Sequence, residues 1–485
     1  MLVDELSNHN YITGVNPMKK CFFTIMILLN AASVSAELYK RAPDVLPGTL
    51  PEMRTAQYWV SQMENPDEVL LSIGEIEQMN RAYQEKMSRS DPFAGVPEER
   101  KPRLESRWPG LVFYVPDLRQ LSPEAVADTV KLRIQSCIDR VKGRSWGNMD
   151  AVEYSPAQIK EFVDEMAIDQ VGGTVTVLDA IAVRTSDLRI VPTFTPDQVG
   201  LRGNGKGRWN MFSGCILKIG MPVKVLHRSQ SGEHVFVLCE WGYGWAKAED
   251  VAFSSKAKID DFVNADDFVV CTGDRVPFYT DATCTYASGY IRMGDRLPLA
   301  DKNNSTKVLV PARKMNGEFH TEIAWLAKDA EVSIGLLPYT RRNVVLTAFK
   351  QLDNAYDWSG GWLGRQHETT YRDIFLCFGF KLPYDGSLFT FFNNDSEDVL
   401  FPEAGQEEQY KTIISHPPFI TIQSCGGHCQ LRLGEHNGVP ILFDQHGYGY
   451  EDENGEFVEV RRCNIGVQTL PSYFLKNKIT FLELR

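Results

Sequence analysis

The chain contains no Cys-x-x-Cys pair, and its ten cysteines are scattered along 485 residues. This argues against a structural zinc site of the usual spacing. Once Cys21 is set aside, nine remain: Cys137, Cys215, Cys239, Cys271, Cys284, Cys377, Cys425, Cys429 and Cys463. An odd, scattered set supplies no disulfide framework, and most of these residues read as small buried apolar groups. Positive charge is also scarce, with 51 Lys and Arg against 63 Asp and Glu, a net charge of -12 and a pI near 5.4. Nucleic acid and anionic membrane surfaces are thereby disfavoured as main partners. Long hydrophobic runs are missing too, since the apolar stretch Cys21–Leu29 is too short to span a bilayer. The glycine-rich Arg202–Trp209 (RGNGKGRW) lacks the Walker spacing and its Ser/Thr, so it reads as a loop rather than a phosphate cradle.

What is present is ample apolar content, 43% of residues, in a length suited to about two to four domains. Met18-Lys19-Lys20, the apolar Cys21–Leu29 and the small-residue Val34-Ser35-Ala36 together have the form of a secretory signal within residues 1–36. Residues 1–17 fit no part of such a signal, which points to a start at Met18. Cys21 lies too early for a lipid-attachment site. After signal removal no integral membrane segment is expected.

Residues 40–170 read as a helical support domain. Ser72-Ile73-Gly74-Glu75 has the form of a capping box ahead of Ile76, Met79 and Tyr83. Ser122-Pro123 and Ser155-Pro156 each place a capping hydroxyl before a first-turn proline. From about Thr174 the period changes to two. Short strands are expected at Thr174–Leu178, Pro222–Leu226, His234–Cys239, Tyr243–Ala246, Asp267–Cys271, Lys307–Pro311 and Phe319–Trp325, the last two joined at Asn316-Gly317. Strands this short suit two small β-barrels, over 172–255 and 265–332. The last third, 336–485, returns to mixed α and β: a helix capped by Thr340, then strands at Phe419–Gln423, His428–Gly434, Pro440–Gln445 and Ile479–Leu484. This pattern suits an α+β domain.

Tyr356–Pro383, YDWSGGWLGRQHETTYRDIFLCFGFKLP, resembles the active-site stretch of NlpC/P60 cell-wall cysteine peptidases. In that family Tyr-x-Trp-Gly-Gly precedes Arg-Asp-Cys-Ser, whose Cys opens a helix ending near Phe-Gly-x-x-Leu-Pro. Tyr356, Trp358, Gly360, Arg365, Arg372, Asp373, Phe378, Gly379, Leu382 and Pro383 match without a gap, but Asp-Cys-Ser is replaced by Gln366-His367-Glu368. Ala182–Arg189 with Pro192, Val223–Arg228, Gly244-Trp245, Glu249–Ala252, Phe268–Val270 and Val276–Tyr279 resemble the paired bacterial SH3 domains (SH3b1 and SH3b2) of one multidomain branch. The resemblance implies a papain-like C-terminal domain behind two SH3 barrels, exported to the periplasm or beyond. It implies peptidoglycan stem peptides or muropeptides as partners and no cofactor.

A cysteine peptidase needs a thiolate, a histidine to take its proton and a group to orient that histidine. Gly427–Gly434 resembles the family strand that carries this histidine, here His428. A strand histidine that merely faces the surface is the plain alternative. Its orienting partner is Asp444, with Gln445 in reserve. A two-residue Asn437-Gly438 loop would turn Gln445 to the face of His428, while a three-residue loop with a bulge at Gly438 would turn Asp444 there. Cys377 sits ten residues along the helix, ~15 Å from the vacant position, and cannot replace the nucleophile. Cys425 lies within chain reach of His428 but lacks a helix N-terminus, and His367 is a weaker nucleophile than a thiolate. His367, His428 and Asp444 could instead converge as a zinc site with Glu368 as base. Gln366 cannot supply the negative charge with which the family's Asp holds the free amine of a stem peptide, although Glu368 could do so from a different position. Tyr356, Trp358 and Trp362 would line the groove or belong to the core. Two functions follow: a non-catalytic binder of stem peptides through an altered groove, or a γ-D-glutamyl-diamino acid endopeptidase working through a metal or an atypical nucleophile.

Overall fold

A computed structural model describes residues 43–87, 118, 121–150, 152–195, 198–202, 209–360, 364–383, 389, 392, 399–400, 402–425, 428–445, 449–459 and 464–485. The signal region, Gly361, Trp362, Gly427, His446, Cys463 and most of the glycine-rich Arg202–Trp209 loop lie outside these residues. Each predicted cap forms. Ser72 and Glu75 bond reciprocally at the head of Ile73–Met87, and the Ser122 and Ser155 hydroxyls accept from the amides of Ala125 and Gln158 at the heads of Pro123–Lys142 and Pro156–Glu165.

These helices are divided between two cores. Met53, Trp59 and Ile76 share a core with the C-terminal sheet, while Val126, Val130, Ile134 and Phe162 pack under the first sheet with Phe212, Phe236 and Trp245. Asn80 fastens the Ile73–Met87 helix to the C-terminal domain, donating to Gly379 O at 2.8 Å and accepting from Lys381 N at 2.8 Å.

The first β-body is a seven-stranded antiparallel sheet in the order Ser213–Leu217, Ser186–Arg189, Gly242–Lys247, His234–Cys239, Pro222–Arg228, Leu178–Ala182, Val251–Phe253. The strand expected at Thr174–Leu178 starts only at Leu178. Before it, Val175 spends its amide on Pro123 O, and Val175 and Val177 pack against the helices instead of joining a ladder. The second β-body combines a three-stranded and a four-stranded sheet around a shared core of Val269, Phe278, Ile291 and Val308. Its Lys307–Arg313 and Phe319–Trp325 strands pair across a turn in which Gly317 has φ +89°.

In the C-terminal domain, helices Arg341–Phe349 and His367–Leu376 pack on a six-stranded antiparallel sheet: Val399–Leu400, Ile479–Glu483, Thr421–Cys425, His428–His436, Val439–Gln445, Ile465–Thr469. The helix Gln406–Ser415 and the strand Ile465–Thr469 lacked a readable sequence signal. Taken together, the chain is a multidomain mixed α/β structure built on several antiparallel sheets.

Buried ion pairs join the three bodies just behind the His367 helix. Lys218 of the first lies 2.7 Å from Asp295 of the second and 3.0 Å from Asp373 of the helix. Arg365 pairs with Asp373 and reaches Asp274 at 2.6 Å. Burial alone would raise the Asp373 carboxyl, but the charges of Lys218, Arg365, Arg292 and Arg372 more than offset it, so Asp373 sits below its ordinary value. Arg365, Arg372 and Asp373 of the motif are therefore scaffold, and the Arg372 guanidinium lies over Trp241 of the first β-body at 3.5 Å.

Candidate functional site

His367 opens its helix, so its side chain sits where the partial positive charge of the backbone is strongest. Its ring lies 4.6 Å from that of His428, centre to centre. His428 begins its strand and stacks on Phe474 at 5.2 Å. Its Nε2 lies 2.6 Å from Oδ1 of Asp444, which leaves Nδ1 as the ring nitrogen not engaged by that carboxylate. Burial would lower His428, but the charge and hydrogen bond of Asp444, aided by the charge of Glu368, raise it above its ordinary value.

The hairpin that sets this pairing combines features of both predicted forms. Its loop is the two-residue Asn437-Gly438, with φ of +53° and +76°, the mirror-image turn that fits strand twist. Alone it would have turned Gln445 towards His428. A bulge between Arg432 and Gly434 shifts the register by one, so Leu431 pairs with Phe443 and Asp444 shares the face of His428. Gln445 instead donates to Arg365 O and braces the turn before the helix.

Two residues not singled out in the sequence complete the Asp444 environment. Gln430 Nε2 donates to Oδ2 of Asp444 at 2.7 Å, and Gln468 donates to the same oxygen. Gln430 was findable, being two residues from His428 on the same strand face. Gln468 was not, because it comes from a strand that the sequence did not disclose.

In the triplet His367 and Glu368 are buried, 8% and 7% exposed, and Gln366 is half-buried. Oε1 of Gln366, Nδ1 of His367 and Oε2 of Glu368 are all buried without a hydrogen-bond partner. The last two are 2.7 Å apart, a contact that lacks hydrogen-bond geometry. Among the described residues no group of three or more His, Cys, Asp or Glu side chains has the geometry to hold a metal ion, so His367, His428 and Asp444 do not assemble into the zinc set considered from sequence. The reason is local: His428 commits Nε2 to Asp444, and Asp444 accepts from Gln430 and Gln468.

Neither nearby thiol is activated. Burial, with the charge of Asp444, pushes Cys425 up to about 12, and its Sγ donates to Phe474 O. Cys377 is likewise pushed up to about 12, chiefly by burial.

Tyr356 meets Trp209 of the first β-body edge-to-face at 4.4 Å, and Trp358 packs against that body's helical core. Ser359 has φ +63°, and its hydroxyl bonds to Ser213, which donates to Asp187. Burial pushes Asp187 up to about 7, against the opposing effects of Arg189 and Ser213 and with help from the charge of Asp357. The folded chain therefore holds this proton more tightly than the unfolded chain does. The stabilisation is complete below the unfolded value near 3.8 and is lost as pH rises through about 7. Denaturant titrations should show stability falling on the order of 2–4 kcal/mol over that window. Asp187→Asn should flatten the fall, and an unchanged slope would reject Asp187 as its source.

No family model matches the chain, and no curated protein matches it. Among solved structures it is similar to an NlpC/P60 endopeptidase from Photobacterium damselae subsp. piscicida. The TM-score is 0.65 at 15% identity, over 92% of this chain and 98% of that one. An NlpC/P60 family protein from Bacillus cereus ATCC 10987 aligns with TM-score 0.39 at 15% identity, over 62% of this chain and 97% of that one. Among the described residues no helix is long and apolar enough to cross a membrane. The chain thus has the overall fold of the Photobacterium endopeptidase, carrying His367 at the head of the helix beside the paired His428 and Asp444.

Proposed function

We propose that this chain is an exported, non-catalytic member of the NlpC/P60 type that binds peptidoglycan stem peptides or muropeptides through the groove at Gln366-His367-Glu368. In this reading the β-bodies at 172–255 and 265–332 serve as SH3-type modules, the first walling the groove through Trp209, which meets Tyr356 of the C-terminal domain, with Trp358 beside them. The observation that carries it is that Oε1 of Gln366, Nδ1 of His367 and Oε2 of Glu368 are buried without a hydrogen-bond partner, the last two in charge contact with each other only. Unsatisfied buried groups of this kind cost on the order of 1–3 kcal/mol each, a cost that a polar ligand bonded to them would relieve. Glu368 offers the negative charge that suits a stem-peptide amine, in place of the family's Asp. The missing thiol and the high-lying Cys425 support the absence of cleavage.

A second reading, a working γ-D-glutamyl-diamino acid endopeptidase, is favoured by the 2.6 Å His428–Asp444 pair, which retains a base and its orienting group. Calorimetric titration with muropeptides should show saturable binding, weakened at least about 10-fold by Glu368→Gln, as expected for loss of a charge-assisted bond. Mass spectrometry of the same mixtures, with zinc or with chelator, should show intact substrate. Cleavage would establish the hydrolase reading instead, and the absence of binding would refute the groove as a stem-peptide site.

A further inference from the structure

The helix Pro156–Glu165, the first β-body and one corner of the second enclose a cavity of about 800 Å³, and among the described residues none of the C-terminal domain lines it. Its charges come from different elements. Glu161 and Glu165, four apart on one helix face, line it together with Glu233 from the turn before His234–Cys239. Lys247 enters from the neighbouring strand, opposite His234 in the ladder, and Arg313 enters from the second β-body. A fourth carboxylate, Glu249, already lies 3.6 Å from Arg184 and 3.9 Å from Lys247. Phe194 supplies an apolar wall, its ring stacked on His234 at 5.4 Å and 15°. Glu165 is the best-held of the carboxylates. Its Oε1 accepts from the Ser231 amide at 3.2 Å and hydroxyl at 2.6 Å, and lies 3.6 Å from Nδ1 of His234, a buried nitrogen with no hydrogen-bond partner. Burial would raise Glu165, but hydrogen bonds from Ser229 and Ser231 hold it below its ordinary value, while burial lowers His234. At neutral pH the imidazole is therefore uncharged, and Glu165 carries a negative charge that no imidazolium cancels.

We propose that this cavity binds a short peptide with both termini free, its ammonium held by Glu165 and Glu161, its carboxylate by Lys247 and Arg313, and a side chain laid against Phe194. A cavity of this size suits a small ligand that a few convergent polar groups orient. The mixture of signs selects the ligand class. A simple anion would face the carboxylates of Glu161, Glu165 and Glu233, and a simple amine would face Lys247 and Arg313. A zwitterion satisfies both sides and can enter in one direction only. The site is separate from the Gln366-His367-Glu368 groove and does not depend on what that groove binds.

The test is calorimetric titration of the full chain with trialanine, N-acetyl-trialanine and trialanine amide. Trialanine should bind saturably, and blocking either end should weaken it at least about 10-fold, the loss expected for one charged hydrogen bond. Glu165→Gln and Lys247→Met should each weaken trialanine by a similar factor. Glu165→Gln should leave the residual affinity for N-acetyl-trialanine unchanged, because that peptide has no ammonium to lose. Should Glu165→Gln fail to fold, Glu161→Gln, an exposed position on the same helix face, takes its place. Absence of trialanine binding would overturn the proposal. So would binding that neither variant changes, which would put the peptide elsewhere on the chain, the groove included. Trialanine amide binding as tightly as trialanine would mean a site for amines alone and would equally reject it.

Discussion

His367→Cys is expected to cleave muropeptide stem peptides that the native chain leaves intact. The position heads a helix of ten residues, where a thiolate is stabilised by the backbone charge. The His428 ring lies 4.6 Å from the ring that would be removed, and its Nε2 is already held by Asp444. Nδ1 is therefore the nitrogen available to take the thiol proton. Replacing an imidazole with a smaller thiol also vacates space for a scissile carbonyl. Product formation should exceed that of the native protein by at least about 10²-fold, the lower range for a positioned base acting on a nucleophile. A second readout separates the steps, namely the pH dependence of alkylation at position 367, which should show a thiolate well below the ordinary cysteine range of about 8.5. A thiolate without cleavage would mean the Gln366 and Glu368 groove no longer accepts the substrate. An ordinary thiol would mean that His428 does not act as its base.

Arg365→Met is expected to be among the most destabilising single substitutions in the chain. The guanidinium is fully buried and bonds to Asp373 and Asp274, and its removal leaves the Asp373 carboxylate short of a partner in the interior. Breaking a buried pair from one side costs roughly 3–5 kcal/mol, whereas replacing a whole pair by apolar groups of similar size can be close to neutral. Chemical denaturation should accordingly show a large loss for Arg365→Met and a smaller one when Asp373→Leu is added. A loss below about 1 kcal/mol in the single variant, typical of a surface pair, would show that the network contributes little. The same test bears on the motif, because it separates the residues that hold the helix from those that face the groove.

Much of the local structure was readable because it depends on neighbours in the chain. The Ser72, Ser122, Ser155 and Thr340 caps, the Asn316-Gly317 and Asn437-Gly438 turns and the period-two strands are short-range consequences of side-chain chemistry. Strand parity also placed Gln430 beside His428 in principle. The hairpin register could not be decided in this way. It rests on the bulge before Gly434, where Trp59 of the N-terminal segment lies so close that a Cβ would meet its ring at 3.0 Å. That contact joins residues hundreds of positions apart.

The sequence by itself determined the helix starts, the strand-rich middle, the absence of a thiol at His367 and the presence of a histidine strand. The tertiary structure alone decided that Asp444 and not Gln445 faces His428, that Gln468 supports it, and that the zinc set does not form. It also decided that the early helices serve two different cores. The physical reason is that caps and periodicity are set by residues a few positions apart, whereas register, burial and charge pairing are set by surfaces that meet only when distant segments pack.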